Sequence, residues 1–164
     1  MSILLQDTSL VHSRDYSLKY TTERSVVEDI EYIGGSATIE AFRRGVDILF
    51  YVNSAPSNFP HHAVYRDTLG HAAMLGFWNS AIVFVMGCTE DPTLEAWNTM
   101  EADIFGDTVI LPFEDIYANL VHKFTTGLYW MSVHCPNVKH VIKLDDDVSV
   151  RFVPSSYATT SESE

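Results

Sequence analysis

The chain has 164 residues, with 10 lysines and arginines against 22 aspartates and glutamates, a net charge of −12, and 46% hydrophobic residues. That apolar content excludes a disordered chain, and the acidic balance excludes nucleic acid as the main partner, which needs a basic footprint. The length fits one domain, able to bury roughly 70% of its unfolded surface. Between residues 45 and 150 the cationic side chains are Arg66, Lys123, Lys139 and Lys143. An anionic ligand there must be met by those few residues, by helix N-termini or by a metal. Cys88 and Cys135 can pair or stand as buried thiols, and spacing does not decide between them. No window reaches the ~20 apolar residues of a membrane span, and the first residues do not read as a signal peptide.

In chain order, residues 1–45 are polar and mixed in charge, a stem-like or mobile lead-in with a short helix expected at about 36–44. Asp47 to Asn53 reads as a buried strand, and Ser54-Ala-Pro-Ser-Asn-Phe-Pro60 as a turn-rich loop. A helix is expected from about His61 to Leu75, then a second buried strand from Ala81 to Met86 closed by Gly87. Asp91-Pro92 supplies an N-cap and a first-turn proline for a helix carrying Leu94, Trp97, Glu101 and Ile104. Thr108 to Leu111 is a short third strand. Asp115 is then expected to cap a long helix to about Val133, with Ile116, Leu120, Phe124, Leu128 and Met131 as its buried stripe. Asp115, Asn119 and Lys123 follow at four-residue steps on an adjacent face. Strands alternating with helices predict a largely parallel α/β sheet of the nucleotide-binding kind. The domain is expected over 46–152, and the polar tail at 153–164 as disordered.

The richest stretch is His140-Val-Ile-Lys-Leu-Asp-Asp-Asp-Val-Ser-Val150. A β-branched run that ends in clustered carboxylates is costly to build unless the strand opens into a ligand crevice and a cation neutralises the charge. An Asp-x-Asp there suits Mg²⁺ or Mn²⁺ bridging a diphosphate, with hard oxygen ligands and positions left for phosphate. The strand period puts Asp145 and Asp147 on one side and Asp146 on the other, which makes the outer two the working pair; a solvated acidic turn is the plain alternative. Arg66, after a strand and its loop, can fork onto phosphate or pair with a nearby acid. Lys123 can balance the aspartates or snorkel to solvent. The histidines, His61, His62, His71, His122, His134 and His140, lack zinc-ligand spacing. No glycine-rich phosphate loop follows a strand.

Ser54-Ala-Pro-Ser-Asn-Phe59 with Arg66-Asp-Thr68, the acidic block Glu101 to Asp107, Phe113 to Lys123, and Trp130 to Cys135-Pro136 leading into Lys143-Leu-Asp-Asp-Asp-Val148 stand in one order. Together they resemble the β-1,3-galactosyltransferase family, which includes β-1,3-N-acetylglucosaminyltransferases and is related to Fringe. The likeness spans roughly residues 47–152. It implies the N-terminal, nucleotide-sugar-binding half of a GT-A (Rossmann-like) α/β fold with an incomplete sheet. It implies a hexosyltransferase that moves a sugar from a UDP-sugar to a glycan or glycoconjugate hydroxyl with inversion, using Mn²⁺. Relatives of this kind are type II membrane proteins of the Golgi apparatus, whose anchor this chain does not show. By the same likeness Asp147 and Asp145 would hold the metal, and Arg66, Asp145 and Asp146 the nucleotide sugar, with Lys123, Asp115 and Asn119 in support. The catalytic base and acceptor half would lie beyond Glu164, so the chain is expected to be an inactive truncated member, or else a non-catalytic nucleotide-sugar-binding or interaction remnant. Leu69, His61-His62, Val121 and Ser149 depart from the family's usual Trp, Arg, Thr and aromatic.

Overall fold

The computed structural model describes residues 33–34, 45–70 and 79–148. The helix expected from about His61 to Leu75 ends at Thr68, with Leu69 and Gly70 turning away from it; the expected lead-in helix at 36–44, residues 71–75 and the tail at 153–164 fall outside the described residues.

The elements are β1 (Ile33–Gly34), β2 (Ile48–Asn53), α1 (Phe59–Thr68), β3 (Ser80–Cys88), α2 (Pro92–Phe105), β4 (Thr108–Glu114), a 3₁₀ turn (Tyr117–Asn119), α3 (Leu120–His134) and β5 (His140–Asp145). They form one sheet in the order β1-β4-β3-β2-β5. β2, β3, β4 and β5 run parallel, and β1 pairs antiparallel with β4.

The two faces of the sheet follow from the two-residue period. Leu49, Tyr51, Val83, Val85, Val109 and Leu111 point one way and meet Trp130, Met131 and Cys135 at the end of α3. Ile48, Phe50, Val52 and Phe84 point the other way, onto Tyr65 of α1 and Leu69 just after it. Met86, Cys88 and Ile110 meet Ala102 of α2. β2 and β3 are central and covered on both faces, which is why they read as unbroken apolar runs rather than alternating ones.

Asp91 caps α2 as expected, accepting from the amides of Thr93 at 2.9 Å and Leu94 at 3.2 Å, with Pro92 in the first turn and Gly106 closing the helix at φ 65°. The third strand is longer than its apolar core. It runs through Pro112 to Glu114, and the register with β3 jumps from Gly87↔Leu111 to Cys88↔Glu114. Pro112 has no N–H to donate, so a bulge is where such a residue fits. Gly87 does not close β3, which continues to Cys88.

The helix after β4 differs from expectation. Asp115 does not cap it: a 3₁₀ turn intervenes, Asn119 stands at the N-cap, and Asp115 accepts instead from the Gly87 amide at 2.8 Å and from Lys123. The buried stripe is Lys123, Thr126, Gly127, Trp130 and Met131, whereas Ile116, Leu120, Phe124 and Leu128 are exposed. Both sets have helical spacing, so periodicity could not choose between them. Close approach did. A Cβ on Gly127 would lie 2.2 Å from the Tyr51 hydroxyl and 2.8 Å from its ring, so only glycine lets α3 sit this near β2. Gly127→Ala is therefore expected to destabilise the fold by about 2 kcal/mol, an overpacking cost of about 3 kcal/mol less the ~1 kcal/mol that alanine gains in helix propensity. Chemical denaturation reads this directly, and an unchanged midpoint would show that the Tyr51 ring yields.

Cys88 and Cys135 are free and buried in separate clusters on opposite faces of the sheet. Burial pushes the Cys88 thiol up to about 11 and the Cys135 thiol up to about 12.

Candidate functional site

β2 has β3 and β4 on one side and β5 on the other. α1, which follows β2, and α3, which precedes β5, pack on opposite faces of the sheet, and between two such neighbouring strands an open parallel sheet forms its ligand crevice at their carboxyl ends. Asn53 pairs with Asp145 in register, so the Ser54–Asn58 loop and the aspartate turn lie side by side. The Asp146 amide donates to the Asn53 carbonyl at 3.2 Å, and the Val148 amide closes the turn onto the Asp145 carbonyl at 3.1 Å. A cleft of about 280 Å³ opens here, between His61 and Tyr65 of α1, Leu69 just after it, and Asp146, Asp147 and Val148 of the turn.

The three aspartates have three different surroundings. Asp145 ends the strand, half-exposed, with its carboxylate 2.5 Å from Lys143. Asp146 is anchored: its Oδ2 accepts from the Ser54 hydroxyl at 2.6 Å, the Asn58 side-chain amide at 2.7 Å and the Ala55 amide at 3.3 Å. Burial works to raise this carboxyl, but those hydrogen bonds outweigh it and hold the group below the usual carboxylate range. Asp147 is exposed at the cleft and makes no hydrogen bond or ion pair among the described residues. The expected geometry, outer pair together and Asp146 apart, gives way to Asp146 and Asp147 sharing the cleft. Strand geometry ends at Asp145, and a turn has no two-residue period.

The anchor takes priority over ordinary helix chemistry. Asn58 stands at the N-cap of α1 but makes no side-chain cap bond: its NH2 donates to Asp146, and its Oδ1 accepts from the Ser57 hydroxyl at 3.4 Å instead of from a helix amide. The Tyr65 hydroxyl donates to the Asp145 carbonyl at 2.9 Å and also contacts the Val148 carbonyl, tying α1 to the turn. Burial first, then the Asp146 charge, raises the Tyr65 phenol.

Behind the anchor runs a buried polar chain. The Ser54 hydroxyl meets His62 Nε2 at 2.6 Å, His62 Nδ1 meets both Glu101 oxygens at 3.0 Å, and Glu101 accepts from Arg66 at 2.7 Å. Arg66 forks onto Asp107 at 2.8 and 2.6 Å, and its guanidinium carbon lies 3.9 Å from the Phe105 ring centroid. Burial opposes the Arg66 charge, but Asp107 and then Glu101 outweigh it and raise its pKa. Burial likewise works to raise Glu101, and His62 and Arg66 outweigh it, leaving that carboxyl below its ordinary value. Arg66 thus turns to two acids of the α2–β4 region, and it is not among the residues that line the cleft. Its position on α1 is the expected one, but its donors are spent on Glu101, Asp107 and Thr108.

Lys123 is buried, its ammonium 3.0 Å from both Asp115 oxygens and 2.9 Å from the Ser54 carbonyl. It neither snorkels nor pairs with the Asp145–Asp147 turn; its acid is Asp115, and it holds the Ser54 loop from the α3 side. Asn119 stays at the helix start, its amide donating to the Glu114 carbonyl at 2.9 Å. Sequence alone does not single out Ser54, Asn58, His62, Tyr65 or Glu101 as working groups. A signal existed for part of this: His62, Tyr65 and Arg66 fall three and four apart, the spacing of one helix face.

Among the described residues no three His, Cys, Asp or Glu side chains converge as a ready-made metal site. Asp147 offers a hard oxygen donor with no other partner among the described residues, whereas Asp145 is held by Lys143; a small divalent cation that completes its shell with phosphate and water would fit Asp147 directly and Asp145 only in place of that lysine.

A family model for galactosyltransferases matches residues 64–154. The chain belongs to the galactosyltransferase family. It is 28% identical over 103 residues to mouse beta-1,3-galactosyltransferase 1, covering 63% of this chain and 32% of that protein. It is 30% identical over 113 residues to the mouse acetylgalactosaminyl-O-glycosyl-glycoprotein beta-1,3-N-acetylglucosaminyltransferase, covering 65% and 29%. Against the Xenopus tropicalis lactosylceramide 1,3-N-acetyl-beta-D-glucosaminyltransferase it is 24% identical over 178 residues, covering 92% and 46%. The chain spans about a third to a half of the length of these relatives. No helix among the described residues is long and apolar enough to cross a membrane.

Proposed function

We propose that the cleft at the β2–β5 switch point is the donor corner of a β-1,3-hexosyltransferase of GT-A type, taking a UDP-sugar with Mn²⁺ and serving glycan acceptors in the Golgi apparatus. One observation carries this reading: an unengaged Asp147 stands at the mouth of a cleft whose neighbour Asp146 is fixed by three hydrogen bonds. A solvated acidic turn has no need of that anchoring, and family membership supplies the substrate class.

In this reading Asp147, with Asp145 released from Lys143, holds the cation. The ion, when bound, neutralises charge on the diphosphate leaving group. The chain's own part is positional. Ser54, Asn58 and the Ala55 amide immobilise Asp146, Tyr65 immobilises the turn carbonyls, and the apolar wall of Val64, Tyr65 and Leu69 keeps water from one side of the cleft. Transfer is a direct displacement with inversion, and no carboxylate among the described residues is assigned as its base.

Titration calorimetry with UDP tests this. UDP should bind only when Mn²⁺ is present, and Asp147→Ala should weaken binding by about 100-fold, the loss expected for a cation ligand. Equal binding without Mn²⁺, or an unaffected D147A variant, would overturn the assignment. Competition between UDP-galactose and UDP-N-acetylglucosamine then names the donor.

A further inference from the structure

We propose that His62 is the positioning residue of the aspartate turn: held as an imidazolium between Ser54 and Glu101, it orients the hydroxyl that anchors Asp146. The functional meaning of that role rests on reading the turn as the donor corner.

The argument is a count of protons. Ser54 has one hydroxyl proton, and at 2.6 Å its oxygen faces both Asp146 Oδ2 and His62 Nε2. An ionised carboxylate only accepts, so the hydroxyl proton goes to Asp146 and Nε2 must donate to the Ser54 oxygen. On the other edge of the ring, Nδ1 lies 3.0 Å from both oxygens of Glu101, which also only accepts, so Nδ1 must donate as well. Both nitrogens therefore carry protons. Both carboxylates have reason to stay ionised: Asp146 receives two further N–H groups, and Glu101 receives the Arg66 guanidinium.

The groups facing the ring from each packed element agree. The β5 turn presents Asp146 through Ser54, α2 presents Glu101, α1 presents Arg66 beyond it, and Asp107 lies beyond Arg66. β3 presents the Phe84 ring, stacked at 4.2 Å. With His62 charged, the chain Asp146, His62, Glu101, Arg66, Asp107 alternates in sign along its whole length. With a neutral ring, either Nδ1 would face Glu101 acceptor to acceptor, or the Ser54 oxygen would face Asp146 that way. The ring also has no freedom to turn away, being 0% exposed.

The consequence is directional. A neutral imidazole bearing its proton on Nδ1 would take the Ser54 hydroxyl for itself, and Asp146 would lose its shortest contact. His62 so decides whether Ser54 serves the turn.

Two measurements on the labelled chain need no donor. Ring ¹⁵N shifts of His62 at neutral pH should both fall at protonated values; one protonated and one bare nitrogen would overturn the proposal. Amide hydrogen exchange should show His62→Phe losing about tenfold in protection at Ala55 and Asp146 while β3 core amides hold. His62→Gln should stay within about threefold of the parent there, since its amide still donates to Ser54. Equal losses in both variants, or protection retained in H62F, would count against the role. If H62F does not fold, Ser54→Ala serves: it should release Ala55 and Asp146 while His62 keeps its bond to Glu101. Mn²⁺-dependent UDP binding, measured alongside, separates the two ideas. Loss of it in the parent chain with an intact imidazolium signature would sink the donor reading alone.

Discussion

Lys123→Met is expected to lower stability by about 3–5 kcal/mol, the range for removing one partner of a buried ion pair. Methionine matches the length and volume of the lysine stem, so the loss is not a cavity effect. What remains is the carboxylate of Asp115, its side chain only 8% exposed, with the Gly87 amide as its one strong donor. The Ser54 carbonyl also loses its 2.9 Å bond to the ammonium, at the point where the loop turns toward Asp146. Adding Asp115→Asn to Lys123→Met should restore much of the deficit, because no buried charge is then left unpaired. Urea denaturation of the two single variants and the double closes the cycle. A K123M variant within about 1 kcal/mol of the parent would show that water reaches Asp115.

Arg66→Ala is expected to cost about 3–5 kcal/mol as well, for a related but distinct reason. Its guanidinium holds two acids at once, forking onto Asp107 and reaching Glu101, and it lies over the Phe105 ring. Lysine cannot reproduce that fork, so Arg66→Lys should recover less than half of the loss. The pH dependence follows from Glu101, whose pKa is lower in the folded protein than its ordinary value. A depressed carboxyl contributes stability above its unfolded pKa and loses it as pH falls through the folded value. Arg66 is one source of that depression, so the difference between parent and R66A should be full at neutral pH and shrink on acidification below the ordinary glutamate range. A difference independent of pH would mean that Asp107 and ring packing carry the whole effect.

In these two clusters the local sequence does not determine the pairing. Arg66 and Lys123 are rare cations in an acidic chain, and the sequence leaves each between two roles. The choice depended on which carboxylates the fold would bring near. Glu101 and Asp107 lie 35 and 41 residues from Arg66, and no local pattern links them to it. Ser54 and Asp146 are 92 residues apart and meet because β2 and β5 are neighbours in the sheet. The apolar stripe on α3 failed for the opposite reason. Leu120, Phe124 and Leu128 form a good helical face, yet the helix buries Gly127 and Lys123 instead. The exposed face, together with Val141 and Ile142 on the outer strand β5, leaves apolar surface open to solvent among the described residues.

Local chemistry alone determined a good deal of this protein. Unbroken β-branched runs specify buried parallel strands, Asp91-Pro92 and Gly106 bound a helix, and the motif order identifies the family. Each of these is encoded within a few consecutive residues, where hydrogen-bond geometry and side-chain period act directly. Tertiary structure decided how the three aspartates divide their work. Adjacent in sequence and identical in chemistry, Asp145, Asp146 and Asp147 become a lysine partner, an anchored strut and an exposed, unpaired carboxylate because different parts of the fold reach the first two and none of the described residues pairs with the third. What differs among them is the environment supplied by distant segments, and that environment exists only once β2 and β5 have paired.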